Sequence, residues 1–562
     1  MLKRIFTAAL TTVAFTAVAA PAVAADPAYD VLVFSKTAGF RHDSIAAGVQ
    51  AVRDLGAANN FTVTATEDAT AFTSANLSRF ETVVFLNTTG DVLDASQQTA
   101  FESYIRAGGG YTGVHAAADT EYDWPFYGQL VGAYFASHPA VQQATVKVED
   151  RAHAATAHLP QTWPRTDEWY DYRTNARSTA HVLATLDEGS YAGGQMGADH
   201  PHAWCKTVDA GRSFYTGGGH TASAYSETAF RAHLLGGIRY TAKRTNADCR
   251  PETGYTALYN GSTTGWSQAG PGAFTSTDAT LTSTGGMGLF WYSAKQFTNY
   301  SLKLDWRLAG DDNTGVFIGF PPSSDPWSAV NNGYEIQIDA TDAADRTTGS
   351  VYTFKAADIA ARDAALNPPG EWNTYELLVE GERLQVFLNS VKINDFTNTD
   401  PVRSLAGHIG LQNHGDGDDA SFRNVRIKEL TGSPSPGGPV VGLAGKCLDI
   451  SGGGSADGTK VQLWTCNGSG AQVWAISGQT WRNPQSGKCL DVAGGGTANG
   501  TKAQLWTCNG SGAQSWAAQA NGTVRNPQSG RCLDVSQNSS ADGQQIHLWD
   551  CHTAANQQWR LP

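Results

Sequence analysis

Charge is what this 562-residue chain has little of: 16% of its residues are Asp, Glu, Lys or Arg, against about 25% in an average soluble protein. The 39 basic and 52 acidic residues leave a net charge of −13 with no Lys/Arg-rich block, which excludes the electrostatic footprint of nucleic-acid binding. Neutral partners such as sugars fit that balance. Methionine is scarce, at 3 residues, and no His-Glu-x-x-His ligand spacing occurs. Nothing indicates a nucleotide cofactor. Long apolar runs are missing beyond the first twenty residues, so no membrane partner is expected. What abounds is Gly (61) and Trp (16), a mixture that favours short strands, glycine turns and aromatic surfaces. The length favours three or four domains over a single core.

The N-terminus bears on the compartment. Lys3 and Arg4 precede an apolar stretch from Ile5 to Ala20, and Ala22-Val23-Ala24-Ala25 supplies a small-residue cleavage site. Residues 1–25 therefore read as a secretory signal peptide, with a retained anchor as the alternative. Export to an oxidising, extracellular setting predicts that the eight cysteines form disulfides.

Three repeats close the chain. Cys447-Leu448-Asp449, Cys489-Leu490-Asp491 and Cys532-Leu533-Asp534 recur at a near-constant period, as do Gln472-x-Trp474, Gln514-x-Trp516 and Gln557-x-Trp559. A second cysteine follows the first by the same interval in every unit, which predicts Cys447–Cys466, Cys489–Cys508 and Cys532–Cys551. No unit can bury a core alone, so three sharing one core are expected. These residues resemble the ricin-type lectin family, a β-trefoil carbohydrate-binding module, over residues 441–562. The resemblance implies three sugar sites: Asp449, Trp464 and Asn467; Asp491, Trp506 and Asn509; Asp534, Trp549 and His552. An indole face suits the C–H face of a pyranose, and a carboxylate accepts from hydroxyls. The Gln-x-Trp residues are expected in the core. Upstream, residues 432–440 form a Pro/Gly/Ser linker.

Residues 255–431 alternate short strand patterns with Gly, Asn and Asp turns and one helical stretch near Ala356–Ala365, which predicts a β-sandwich or jelly roll. Strand parity puts Glu335, Gln337 and Asp339 on one face of Tyr334–Asp339, and His408, Gln412 and His414 on one face of His408–His414. The segments LYNGSTTGW (Leu258–Trp266), NTGVFIGF (Asn313–Phe320), YEIQID, GEWNTYEL (Gly370–Leu377), GHIGLQNHG (Gly407–Gly415) and FRNVRI (Phe422–Ile427) look like the 3-keto-disaccharide hydrolase family, with a concanavalin-like jelly roll. That family is associated with glycosides oxidised to a ketone at sugar carbon 3, whose acidified carbon-2 proton permits base-catalysed β-elimination of the aglycone, with water adding later. One base and one acid or oxyanion partner suffice. Glu335 or Asp339 is the candidate base, His414 the acid or proton shuttle, and Lys355, Gln337 or Tyr352 the partner of the ketone oxygen. Asp416, Asp418 and Asp419 form an acidic loop, with calcium as the alternative. Many family members carry an Arg where this chain has Gly319, which puts an Arg-dependent substrate contact in question.

Between residues 26 and 244 apolar strand-like runs alternate with helical patterns, which predicts an α/β fold with a largely parallel sheet. Ten of the 14 histidines lie here, several in loops after strands, where ligands collect: His42, His115, His138, His200, His202 and His220. The segments look like the ThuA family (trehalose-utilisation type), an amidotransferase-like, flavodoxin-like α/β fold linked to keto-sugar metabolism. The superfamily elbow carries a nucleophilic Cys, whereas Gly113-Val114-His115 puts His there and excludes thiol acyl transfer. His115 could then serve as acid/base or as ligand of a divalent metal, with His42, Asp119, Glu168 and His220 as neighbours. Residues 245–254 are read as a linker. Cys205 and Cys249, left over from the repeats, are expected to pair.

The chain thus reads as a multidomain secreted enzyme acting on a glycoside or polysaccharide, in its 3-keto form, and targeted by a lectin. The alternatives are a carbohydrate-binding protein without catalysis and a conventional glycoside hydrolase.

Overall fold

A computed structural model describes residues 25–400, 402–430, 437–477, 479–519 and 521–562. The expected signal peptide before residue 25 and most of the Pro/Gly/Ser linker lie outside the described residues. Among the described residues no helix is long and apolar enough to cross a membrane.

The first domain is built on a nine-stranded sheet. Its first five strands, Phe61–Thr66, Tyr29–Phe34, Thr82–Leu86, Gly110–Val114 and Gly211–Thr216, run parallel. The remaining four, Pro201–Val208, His181–Leu186, Gln142–Val148 and Thr162–Asp167, pair antiparallel. The sheet is therefore mixed rather than largely parallel, because hairpin connections replace helical crossovers after residue 140. Helices Ile45–Ala58 and Thr228–Thr241 bury apolar faces against one side of it. Helix Ala95–Arg106 lies on the other, opened by an Asp94 cap whose carboxylate accepts from the Ser96 and Gln97 amides. Cys205, in a central strand, is bonded to Cys249 beyond the last helix.

Residues 245–254 are packed rather than loose: Thr245, Asp248 and Cys249 are buried. Lys303 of the second domain reaches Asp248 and Glu252, each at 2.8 Å, and Arg426 pairs with Glu252 at 2.6 Å. Arg239 joins Glu371 at 2.7 Å, and Arg151 joins Asp278 at 2.6 Å.

The second domain is a sandwich of a five-stranded and an eight-stranded antiparallel sheet. Tyr334, Ile336 and Ile338 enter the core between the sheets, as their alternation demands. The opposite face of the five-stranded sheet is covered by the short helix Trp327–Asn332, whose Ala329 packs with Phe317, Phe320, Leu289 and Trp291. The helix expected near residues 356–365 spans Ile359–Ala365 and is capped by Asp358.

The third domain repeats one unit three times around a shared core containing Trp474, Trp516 and Trp559. Each of these indole nitrogens donates to a leucine carbonyl of its own unit, Leu448, Leu490 or Leu533, at 2.9 Å. The three disulfides are those the spacing predicts. Each closes a short loop, worth about 3 kcal/mol on the chain-entropy account.

Candidate functional site

In the first domain the chain ends of four separate strands converge. His115 follows strand Gly110–Val114 directly and takes a left-handed backbone, φ 48°, an uncommon conformation for a side chain with a Cβ and often a sign of a built site. His42 sits beyond Tyr29–Phe34, Glu168 directly after Thr162–Asp167, and His220 in the Gly-rich loop after Gly211–Thr216. Asp167 holds that loop, accepting from the amides of Gly219 at 2.8 Å and His220 at 3.1 Å. The rings of His42, His115 and His220 lie 5.0 to 5.3 Å apart. The donor atoms of these three histidines and Glu168 all fall within 4.8 Å of one another. His115 Nδ1 donates to the Gly217 carbonyl at 2.8 Å. Glu168 Oε2 lies 3.1 Å from His220 Nδ1 and 3.4 Å from His115 Nε2, while Oε1 meets His138 Nδ1 at 3.0 Å.

Burial, then the neighbouring imidazoles, push His42 down to about 3, so it is neutral near pH 7. Burial raises the Glu168 carboxyl, but the facing His115 and His220 imidazoles outweigh it and hold the group well below the ordinary range. The Glu168 contact in turn raises His220. Asp119 stands apart: its carboxylate accepts from the Tyr122 hydroxyl at 2.6 Å, and the cluster of donors does not include it. His138 completes the group; its place in a loop gave no sequence signal for contact with Glu168.

In the second domain Glu335 and Gln337 share the covered face of the five-stranded sheet and are both buried. Gly315 pairs with Gln337 across the strands, and the register Val316↔Leu411 sets Gln412 level with Gly315 on its other side. A Cβ at Gly315 would stand 2.5 Å from Glu335 Oε1, so the missing side chain leaves the notch that Glu335 occupies. Burial raises Glu335 to about 8, with the Gln412 amide offsetting part of the shift. The side-chain oxygens of Gln337 and Gln412 are buried without hydrogen-bond partners. Both could accept hydroxyl protons.

The other candidates divide. Asp339 Oδ1 accepts from the Thr341 and Asp342 amides and Oδ2 from the Asn313 amide group, so its carboxylate builds a turn. Asn313 also accepts from Gln337 at 3.4 Å and donates its backbone N–H to Asp418 at 3.0 Å. Asp418 meets His414 Nδ1 at 2.9 Å. His414 is half exposed just past the strand His408–Asn413 and is thus tied to the Gln337 row through two residues. Parity from Gly315 would have found Asn313, which lies two positions earlier. Lys355 donates to the Asp395 carbonyl at 2.6 Å, beside the hairpin strand Val391–Thr397, rather than toward Glu335. Gly319 has φ +73°, and a Cβ there would clash with the Ser404 carbonyl, so the backbone leaves no place for an Arg at this position.

The lectin-like units keep one design. Trp464, Trp506 and Trp549 are 38, 39 and 41% exposed, unlike the core tryptophans. In the first unit Asp449 accepts from Gln462 at 2.9 Å and Gln472 at 3.1 Å, and Gln504 and Gln514 do the same for Asp491. The glutamine of each Gln-x-Trp pair thus orients the neighbouring Asp while the tryptophan fills the core. Asn467 and Asn509 accept from Ser469 and Ser511 amides. The third unit differs: Asp534 takes three donors, His547, Asn556 and Gln557, at 2.7 to 2.9 Å, with His552 Nε2 at 3.6 Å.

Three family models match the chain in series. Residues 30–241 match ThuA, described as trehalose utilisation, residues 254–428 the 3-keto-alpha-glucoside-1,2-lyase-like domain, and residues 437–559 the ricin-type beta-trefoil lectin domain. No curated protein matches the chain. Among solved structures, a ThuA-like protein from Bacteroides uniformis is 21% identical, covering 39% of this chain and 94% of its own, with a TM-score of 0.34. A protein described as a glycosyl hydrolase from Parabacteroides distasonis is 21% identical over 32% of this chain and 100% of its own, TM-score 0.28. The designed threefold-symmetric protein ThreeFoil is 28% identical over 22% of this chain and 95% of its own, TM-score 0.21. The ThuA-like, lyase-like and lectin domains make this a carbohydrate-active protein with a lectin module.

Proposed function

We propose that the protein is exported and cleaves 3-keto-glycosides by elimination in its lyase-like domain, held on polysaccharide by the lectin domain. The observation that carries this reading is Glu335: a buried carboxyl with a pKa of about 8, set in the Gly315 notch between two carboxamides with unfilled oxygens. A base poised near the working pH suits abstraction of a proton next to a ketone. Glu335 takes the carbon-2 proton, and the electron pair forms the carbon 1–carbon 2 double bond as the bond from carbon 1 to the aglycone oxygen breaks. His414 supplies the proton that leaves with the aglycone, and water adds to the double bond afterwards. Amide N–H groups of Gln337 and Gln412 are assigned to the ketone oxygen, where negative charge gathers in the transition state.

Conventional hydrolysis would need two free carboxylates about 5–9.5 Å apart. Asp339, the other acid of the row, already accepts from Asn313, Thr341 and Asp342. Four disulfides suit an oxidising compartment and support export. In the lectin domain the three Asp–Trp pairs are assigned to sugar, with Asn467, Asn509 and His552 at their edges.

Incubation with a 3-keto-glucoside and with its unoxidised parent tests the reading. Aglycone release from the keto form alone is expected. Release from both would make the protein a conventional glycosidase, and release from neither a carbohydrate-binding protein.

A further inference from the structure

The histidine cluster of the ThuA-like domain has no part in the chemistry above, and its hydrogen bonding does not close. A carbonyl only accepts, so the His115–Gly217 contact places the proton of a neutral His115 on Nδ1 and leaves a bare lone pair on Nε2. That lone pair faces a carboxylate oxygen of Glu168 at 3.4 Å. Two acceptors in contact in a buried site need positive charge between them. His115 Nε2 and His42 Nδ1 are, in addition, buried without hydrogen-bond partners, and buried polar atoms in that state cost about 1–3 kcal/mol each.

We propose that His42, His115, His220 and Glu168 bind one divalent first-row transition-metal ion, of the zinc type. Three imidazoles and one carboxylate are the donor set such borderline ions prefer, and hard oxygen-seeking ions do not. Glu168 Oε2 lies 3.1 and 3.4 Å from its two imidazole neighbours, the separation expected of donors each about 2.0–2.2 Å from a common centre. The outer contacts are those of a metal site. Gly217 fixes the ring of His115, and His138 holds the second oxygen of Glu168. The ion is reachable from solvent, because His138 and His220 are partly exposed and Phe40, packed edge-on against His42, is 67% exposed at the mouth. An aromatic ring beside a reachable ion is the arrangement that would seat a sugar whose oxygens coordinate the metal.

The full chain, stripped with a chelator, reloaded with zinc and dialysed, is expected to retain one equivalent by metal analysis. His42→Ala and His220→Ala should lose it while keeping the near-ultraviolet circular dichroism of the wild type, and His138→Ala should weaken zinc binding about tenfold. X-ray absorption of the zinc-loaded wild type provides a readout that needs no variant, and an imidazole-rich first shell is expected there. No retained zinc in the wild type, a full equivalent retained in both folded alanine variants, or a shell without imidazole scattering would overturn the proposal. The second of these outcomes would place the ion elsewhere, as at Asp171, Glu188 and His200, which also converge. None of these measurements depends on glycoside cleavage.

Discussion

At the scale of single residues, Glu335 ties activity and stability in opposite directions. Its pKa rises from the ordinary 4.5 to about 8 because the folded sheet buries it. Between those values the folded protein keeps a proton that the unfolded chain releases, so stability falls as pH rises through that window. Glu335→Gln removes the penalty and should stabilise the lyase-like domain at pH 7, by on the order of 3 kcal/mol, while abolishing turnover. Thermal unfolding of the two proteins from pH 5 to pH 8 checks the sign: the variant's advantage should grow with pH. Turnover should follow the ionised carboxylate, so kcat/KM of the wild type on a keto-glycoside is expected to rise with pH and level off above about 8; a profile flat from pH 5 to 9 would remove Glu335 from the role of base. Parity alone placed Glu335 and Gln337 on one face, since side chains alternate along a strand. It gave no sign that the face is covered, or that Asp339, one step further, turns its oxygens to Asn313, Thr341 and Asp342. Those facts come from neighbouring strands and loops.

At the scale of elements, the three lectin units show how one repeated framework acquires unequal sites. Cysteine spacing and the Gln-x-Trp period were enough to specify the units and their disulfides, because both are local, repeated constraints. The hydrogen-bond count on each Asp is not local. In the third unit His547 stands where the others have Gln462 and Gln504, and Asn556 where they have Ala471 and Ala513, and Asp534 accepts three bonds rather than two. Fewer acceptor positions remain for sugar hydroxyls. Asp449→Asn and Asp491→Asn should therefore each weaken polysaccharide binding more than Asp534→Asn does, as measured by calorimetric titration or pull-down. Equal losses at all three positions would show that the extra donors give way to sugar. In the first domain, the apolar runs of the parallel strands were legible from sequence, whereas the antiparallel half was not, because hairpins and crossovers leave similar short apolar runs.

At the scale of the whole molecule, the first two domains are joined by buried charge. Lys303 is 3% exposed and faces Asp248 and Glu252 at 2.8 Å each, with Arg426 and Arg250 completing the pairs. Burial raises both carboxyls, but these cations outweigh it and hold them well below the ordinary range. Lys303→Met keeps the volume but leaves Asp248 to Arg250 and Glu252 to Arg426 alone, and the loss of the shared, charge-assisted hydrogen bonds costs about 1.5–3 kcal/mol. Calorimetry should show the unfolding of the first two domains shifted down while the lectin domain melts unchanged. An unaltered trace would mean that water enters the interface and relieves the charges. Residues 245–254 illustrate why such a junction escapes sequence reading: a short polar stretch between two domains has the composition of a flexible connection, and its ion partners in the second domain lie more than fifty residues away.

By itself the sequence determined the three domains, their order and fold classes, the cysteine pairs and the residue types available for sugar chemistry, because periodicity, spacing and composition act over short distances along the chain. Tertiary structure decided the rest. It buried Glu335 over Gly315, it turned Lys355 toward the Asp395 carbonyl, and it gathered His42, His115, Glu168 and His220 from four strand ends into one cluster. Each depends on which strands lie side by side and on what is excluded from water between them, and neither is written in any one segment of the chain.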